Sequence, residues 1–207
     1  MTDDPIERLE QDKERIRILI DRYGIVFKAL LEREAPDFRW RRLFPALRLL
    51  ELSGEIVAGH FIDQINSLQF AAFDTLDSLK RTAPHGVVWF QANDPASLCG
   101  IAPAFSTHPF PPARRDSAFI VMQDDHIVLT ATMSGRHLLI TEDLLPQLSP
   151  EWFAPWKCAL SRRISPRPSV EIQTVNGRPA TTVIPRPLLE KIFLVEKNID
   201  KWILYRK

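Results

Sequence analysis

Glycine is scarce in this chain, with only 7 among 207 residues. The glycine-rich loops that commonly cradle phosphate groups are therefore missing. Neither a Gly-x-x-x-x-Gly-Lys-Ser/Thr run nor an Asp-Glu-x-His run occurs, which excludes ATP hydrolysis by that mechanism for this chain alone. The two cysteines, Cys99 and Cys158, make no disulfide framework and no metal spacing, a usage that fits a reducing cytoplasm. The five histidines (His60, His85, His108, His126 and His137) include no i, i+4 pair, so no metal site is expected. No Ser-His-Asp arrangement can be read from the order of residues, and no catalytic residue or cofactor is assigned. Net charge is only +1, so affinity for phosphates has to come from local clusters. The apolar runs are strand-length and fall short of a bilayer span. Residues 1–5 are acidic where a signal peptide would be basic. The expectation is a cytoplasmic protein with no membrane partner.

What is present is ordinary globular composition, 45% apolar and 26% charged, with 17 prolines gathered mainly in 95–112 and 146–187. Residues 1–15 are densely charged and begin an N-terminal helix. Ile16, Leu19, Ile20 and Tyr23 then share one face at helical spacing, and Gly24 is a credible stop. A second helix is expected over 25–34, with Pro36 after its end. A third places Trp40, Leu43, Phe44, Leu47 and Leu50 on one stripe, with Arg41, Arg42 and Arg48 off it. Pro45 inside that pattern predicts a kink or a break, with the main helix starting near Phe44. Two extended segments follow, 56–63 and 67–73, and a short helix over 75–81. That order reads as a winged helix-turn-helix unit over 16–82, an arrangement that most often presses a helix and a wing against nucleic acid.

From Val87 the period falls to about two. Val87-Val88-Trp89-Phe90 reads as a buried strand, and 117–123 with 126–132 as a hairpin about Asp124-Asp125. Ser134-Gly135-Arg136 turns into 137–141. Asn176-Gly177 between 170–175 and 180–184 is a second hairpin signal. A short helix over 187–193 and a last strand over 201–206 complete the chain. Residues 87–207 are expected to form a mostly antiparallel β-barrel-like domain with short helices, closed or half-closed. The fold class is α+β.

Arg39, Arg41, Arg42 and Arg48 are candidate phosphate contacts, since guanidinium groups pair bidentately with phosphate oxygens. His60 is the polar residue of the wing. Trp152 and Trp156, followed by Arg162 and Arg163, interleave aromatics with cations as a single-strand platform does. Arg114 and Arg115 precede a strand and could line the same groove. Trp40 lies on the apolar stripe, so core packing is expected of it. Asn93-Asp94 and Asp124-Asp125 read as turn chemistry, and Glu142-Asp143 as a helix start.

Several of these segments together resemble the C-terminal, DEAD/H-associated region of Lhr-type superfamily 2 helicases. Asp21-Arg22-Tyr23-Gly24-Ile25-Val26 is similar to the family's RYGVV element, and Leu47 to Ile56 to its LRxLExxGEI element. Gly59-His60-Phe61-Ile62 with Gln69-Phe70-Ala71 resembles its wing. Asn93-Asp94-Pro95-Ala96 with Gly100, the block from Arg114 through Gly135-Arg136-His137-Leu138-Leu139, and Val175-Asn176-Gly177 with 202–206 follow its β half. The departures are a wing strand, Ile56-Val57-Ala58, without cations, Asn66-Ser67 in place of a glycine turn, and Ile192 in place of a glycine.

The resemblance implies a nucleic-acid-binding accessory module guiding single-stranded DNA or RNA. The ATPase lobes would belong to another segment or to a helicase ATPase subunit as partner. Two alternatives remain open: a protein-interaction subunit that docks a partner through the winged helix, and a repair module similar to DNA glycosylases.

Overall fold

A computed structural model describes residues 4–63, 65–81, 86–100, 114, 117–124 and 126–207. These fall into two compact units, one up to residue 81 and the other from residue 86.

The first unit opens with α1, Pro5–Tyr23. Asp4 caps it by accepting the Ile6 N–H at 3.0 Å, and Pro5 suits the first turn, where no intrahelical donor is needed. Gly24 ends it at φ +73°, its N–H donating to the Ile20 carbonyl at 2.7 Å. The expected second helix is largely replaced. Ile25–Phe27 is a strand, β1, and only Lys28–Leu31 is helical, as α2. β-branched and aromatic side chains suit a pleated surface, and β1 finds a partner edge through Ile25↔Ala71, Val26↔Phe70 and Phe27↔Gln69. That pairing lies more than forty residues away in the chain, beyond the reach of a local period.

The third helix, α3, runs unbroken from Trp40 to Leu52. Neither the break nor the late start expected at Pro45 occurs. Pro45 lies on the exposed face, where its ring and missing N–H disturb no buried packing. Strands β2, Ile56–Gly59, and β3, Gln69–Ala72, form the wing, with β3 central in the order β1-β3-β2. Helix α4, Phe73–Lys80, follows. Ile16, Leu19, Leu30, Leu43, Leu47, Leu50 and Phe70 make one buried cluster. Each such side chain contributes about 1.5–3 kcal/mol of burial.

The second unit holds nine strands among the described residues. β4 is Val87–Gln91, β5 Phe119–Gln123, β6 His126–Thr132 and β7 His137–Leu139. Helix α5, Ala154–Ser161, leads to β8, Val170–Ile172, then β9, Thr174–Val175, and β10, Arg178–Pro179. Short helices α6, Ala180–Val183, and α7, Arg186–Glu190, precede β11, Phe193–Asn198, and β12, Lys201–Arg206. The sheets are β10-β9-β7-β6-β5-β4 and β11-β12-β8, with one parallel pair, β7 with β9.

These are two open sheets; among the described residues no closed barrel forms. One departure from the expected barrel is at 180–184, expected as a strand. Pro179 and Pro185 bracket that segment and supply no N–H for a ladder. It winds into α6 instead, and the Trp202 indole N–H donates to the carbonyls of Ala180 and Ile184 at 3.2 and 3.1 Å. The Asn176-Gly177 turn is formed, at φ +51° and +77°. The Asn176 side chain also ties it to Ile140, accepting its N–H at 2.9 Å and donating to its carbonyl at 2.6 Å. β4 is an edge strand, not a buried one: Val88 is 60% exposed.

Candidate nucleic-acid interface

Helix α3 packs Leu43, Ala46, Leu47 and Leu50 inward. Its opposite face presents Arg41, Pro45, Arg48, Leu49 and Leu52, while Phe44, expected on the apolar stripe, lies at its margin and is 36% exposed. Trp40 is half-buried against Phe44 and Phe70, with ring centroids 5.3 and 5.9 Å apart, in the packing role expected of it.

The four candidate arginines of this segment are not equivalent. Arg42 donates to Asp12 on α1 at 3.2 Å and is paired with Asp37. Arg15 reaches the same two carboxylates, at 2.6 and 3.8 Å, so four side chains form one ionic network joining α1, the 3-10 turn Pro36–Phe38 and α3. Arg48 is paired with Glu51 one turn on. Among the described residues Arg39 reaches the Glu34 carbonyl, at 3.5 Å. Arg41 is exposed, with no ion-pair partner among the described residues. Of the four, Arg39 and Arg41 are therefore the two without an ion-pair partner among the described residues.

The wing is held by a residue whose role the sequence did not reveal. Gln69 is fully buried, and its carboxamide makes four hydrogen bonds to the wing loop. Oε1 accepts the N–H groups of Phe61 and Ile62 at 3.0 and 2.9 Å. Nε2 donates to the carbonyls of Ile62 and Ile65, both at 3.0 Å. A buried amide so satisfied fixes the loop where a strand ladder cannot. His60, beside it, is exposed.

In the second unit the aromatic platform does not exist as expected. Trp152 and Trp156 are each 2% exposed. Trp152 donates its indole N–H to Gln123 at 2.7 Å, and Trp156 packs edge-on against Phe119 at 4.9 Å. Both are core residues with no open ring face for a base, because the apolar side of α5 and the turn before it closes over both sheets. Arg162 and Arg163 stay exposed in the segment after α5, and Arg114 is exposed beside Gly100. Arg115 lies outside the described residues.

Three helices with a β-hairpin wing define a winged-helix module. Residues 5–88 match the family described as large helicase-related protein, winged-helix domain. The chain is also 29% identical over 170 residues to the Lhr helicase/uracil glycosylase of Escherichia coli (strain K12), covering 78% of this chain and 11% of that protein. It is 28% identical over 133 residues to the Lhr helicase/probable uracil glycosylase of Mycolicibacterium smegmatis, covering 59% of this chain and 9% of the relative. The chain thus carries an Lhr helicase-related winged-helix domain and a distant, partial similarity to Lhr helicases, as its motifs indicated. It spans about a tenth of the length of these relatives. Among the described residues no helix is long and apolar enough to cross a membrane.

Proposed function

We propose that this chain is a nucleic-acid-binding accessory module of an Lhr-like helicase, in which α3 helps to guide a single strand while ATP hydrolysis is supplied elsewhere. The observation that carries this reading is the unequal use of the α3 arginines. Arg42 and Arg48 are committed to carboxylates, whereas Arg39 and Arg41 stand ready at the N-terminal end of an Lhr-related third helix. Phosphate contacts of this kind position the nucleic acid without reading its sequence.

A salt series tests it. Fluorescence anisotropy of labelled single- and double-stranded oligonucleotides is expected to show affinity falling linearly with salt on a log–log scale. The double variant Arg39→Ala/Arg41→Ala is expected to flatten the single-strand slope by about 0.7 per lost contact. Absence of binding at low salt overturns the reading.

A second reading rests on the same helix. Phe44, Leu49 and Leu52 are 36, 41 and 77% exposed, an apolar face better suited to a protein than to phosphates. It predicts a partner-docking subunit with no nucleic-acid affinity. The names of the two relatives also include a uracil glycosylase activity; release of free uracil from uracil-containing DNA by this chain would place that chemistry here.

A further inference from the structure

Beyond α3, the second unit carries a cluster of cations with a different construction. Between Glu151 and Glu171 the sequence contains Lys157, Arg162, Arg163 and Arg167 and no carboxylate. Every residue from 161 to 168 is exposed, and Lys157 lies on the exposed side of α5. None of the four cations has an ion-pair partner among the described residues. Elsewhere in this unit Arg178, Arg186 and Lys201 are paired with Glu142, Glu190 and Glu171.

The segment is nevertheless shaped. The Arg167 N–H donates to the Ala159 carbonyl at 3.0 Å, folding residue 167 back onto the last turn of α5. Inside that closure the Arg162 Nε donates to the Ser165 carbonyl at 2.6 Å, and Ser165 takes φ +49°. Pro166 and Pro168 remove further freedom. The base is rigid: α5 is fixed through buried Trp156, whose indole N–H donates to Gly135 at 3.2 Å. The far end is β8, where Glu171 accepts from Lys201 at 2.9 Å.

Cations at a helix C-terminus can simply offset the helix dipole. Here the terminal carbonyls of Cys158 and Ala159 already accept backbone N–H groups from Arg162 and Arg167. The side chains of Lys157, Arg163 and Arg167 make no hydrogen bond to those two carbonyls among the described residues.

We infer that the loop from Arg162 to Arg167, together with Lys157, is a second phosphate-binding site that grips the backbone of a nucleic-acid strand independently of α3. The site rests on the nucleic-acid reading above. It recognises phosphodiester oxygens, so it is indifferent to sequence. Arg162 shapes the loop; Lys157, Arg163 and Arg167 supply the contacts.

The test compares the full wild-type chain with Lys157→Ala/Arg163→Ala/Arg167→Ala and with Arg39→Ala/Arg41→Ala, using a labelled single-stranded oligonucleotide across a salt series. The loop variant is expected to flatten the log–log slope by about 2, from three contacts at ~0.7 each. A tenfold rise in salt then costs about a hundredfold less affinity than in the wild type. Lys157→Arg/Arg163→Lys/Arg167→Lys, which keeps all three charges, is expected to retain the wild-type slope. It also separates charge from fold should the alanine variant be unstable. An unchanged slope in the alanine variant, with the wild type binding, overturns this site and leaves the α3 reading standing. A flattened slope in the loop variant alone supports this site and removes α3 from the contact. No binding by the wild type overturns both.

Discussion

The indole nitrogen of Trp156 donates to the carbonyl of Gly135 at 3.2 Å, and a Cβ added at Gly135 would lie 2.6 Å from that same nitrogen. Gly135 also sits at φ +93°, in a region that side-chain-bearing residues avoid. One residue therefore provides both the turn between β6 and β7 and the space that lets α5 seat against the sheets. Gly135→Ala is expected to cost about 2–4 kcal/mol, combining backbone strain with overpacking. Urea denaturation checks this; a cost under about 1 kcal/mol would mean that Trp156 yields readily.

The Gln69 carboxamide predicts a wing that loosens when its chemistry changes. Gln69→Leu keeps the apolar stem but leaves the N–H groups of Phe61 and Ile62 and the Ile65 carbonyl without the carboxamide, while the Ile62 carbonyl keeps the Ile65 N–H at 3.0 Å. A loss of roughly 2–4 kcal/mol is expected, with the Phe61 and Ile62 amides exchanging hydrogen faster than those of β2. Exchange at those amides no faster than in the wild type would show that water or the backbone takes over the clamp.

Arg41 and Arg42 are neighbours with opposite expected phenotypes. Arg41→Ala is expected to flatten the salt dependence of nucleic-acid binding by about 0.7 while leaving the denaturation midpoint in place. Arg42→Ala removes a link between α1 and α3 and is expected to cost about 1 kcal/mol or less, because Arg42 itself and its partner Asp37 are solvent-exposed. Equal effects of the two substitutions on both measurements would contradict the division of labour on α3.

Two carboxylates give the stability a pH dependence of known sign. The Arg17 guanidinium, hydrogen-bonded to Glu55, holds that carboxyl below its usual 4.5. Lys201, and then Gln173, do the same for Glu171. Groups whose folded value is depressed bind more protons when unfolded, so their stabilisation is complete above about pH 4.5 and is lost as pH falls through the lower folded values. Denaturant midpoints measured from about pH 6 down to about pH 3 are expected to fall less steeply in Glu55→Gln/Glu171→Gln than in the wild type. Parallel curves would show that neither pair is retained in solution.

Much of the architecture was legible because it is written in local periods and stops. The α1 stripe with its Gly24 terminus, the α3 core face, the wing order and the Asn176-Gly177 turn each depend on residues a few positions apart. The motifs around α3 and the wing pointed correctly to an Lhr-related winged-helix domain. Misreadings arose where a distant partner, or a flanking pair of prolines, outweighed the local period. Ile25–Phe27 became a strand because β3 offered an edge, and 180–184 became helical because prolines denied it a ladder while Trp202 capped its carbonyls.

The same distinction runs through the functional residues. That the α3 segment and the stretch after Trp156 are rich in cations is a property of composition, visible at once. Which of those cations remain available is not, because an arginine looks the same in sequence whether Asp12 waits on another helix or nothing does. Nor does spacing reveal whether a tryptophan offers its ring face to a base or seals it against Gly135. Local sequence carried most of the elements, their order and the likeness of residues 5–88 to the Lhr-related winged-helix domain. Which charges are neutralised and which rings are buried was set by folding, because both depend on partners brought close from remote parts of the chain.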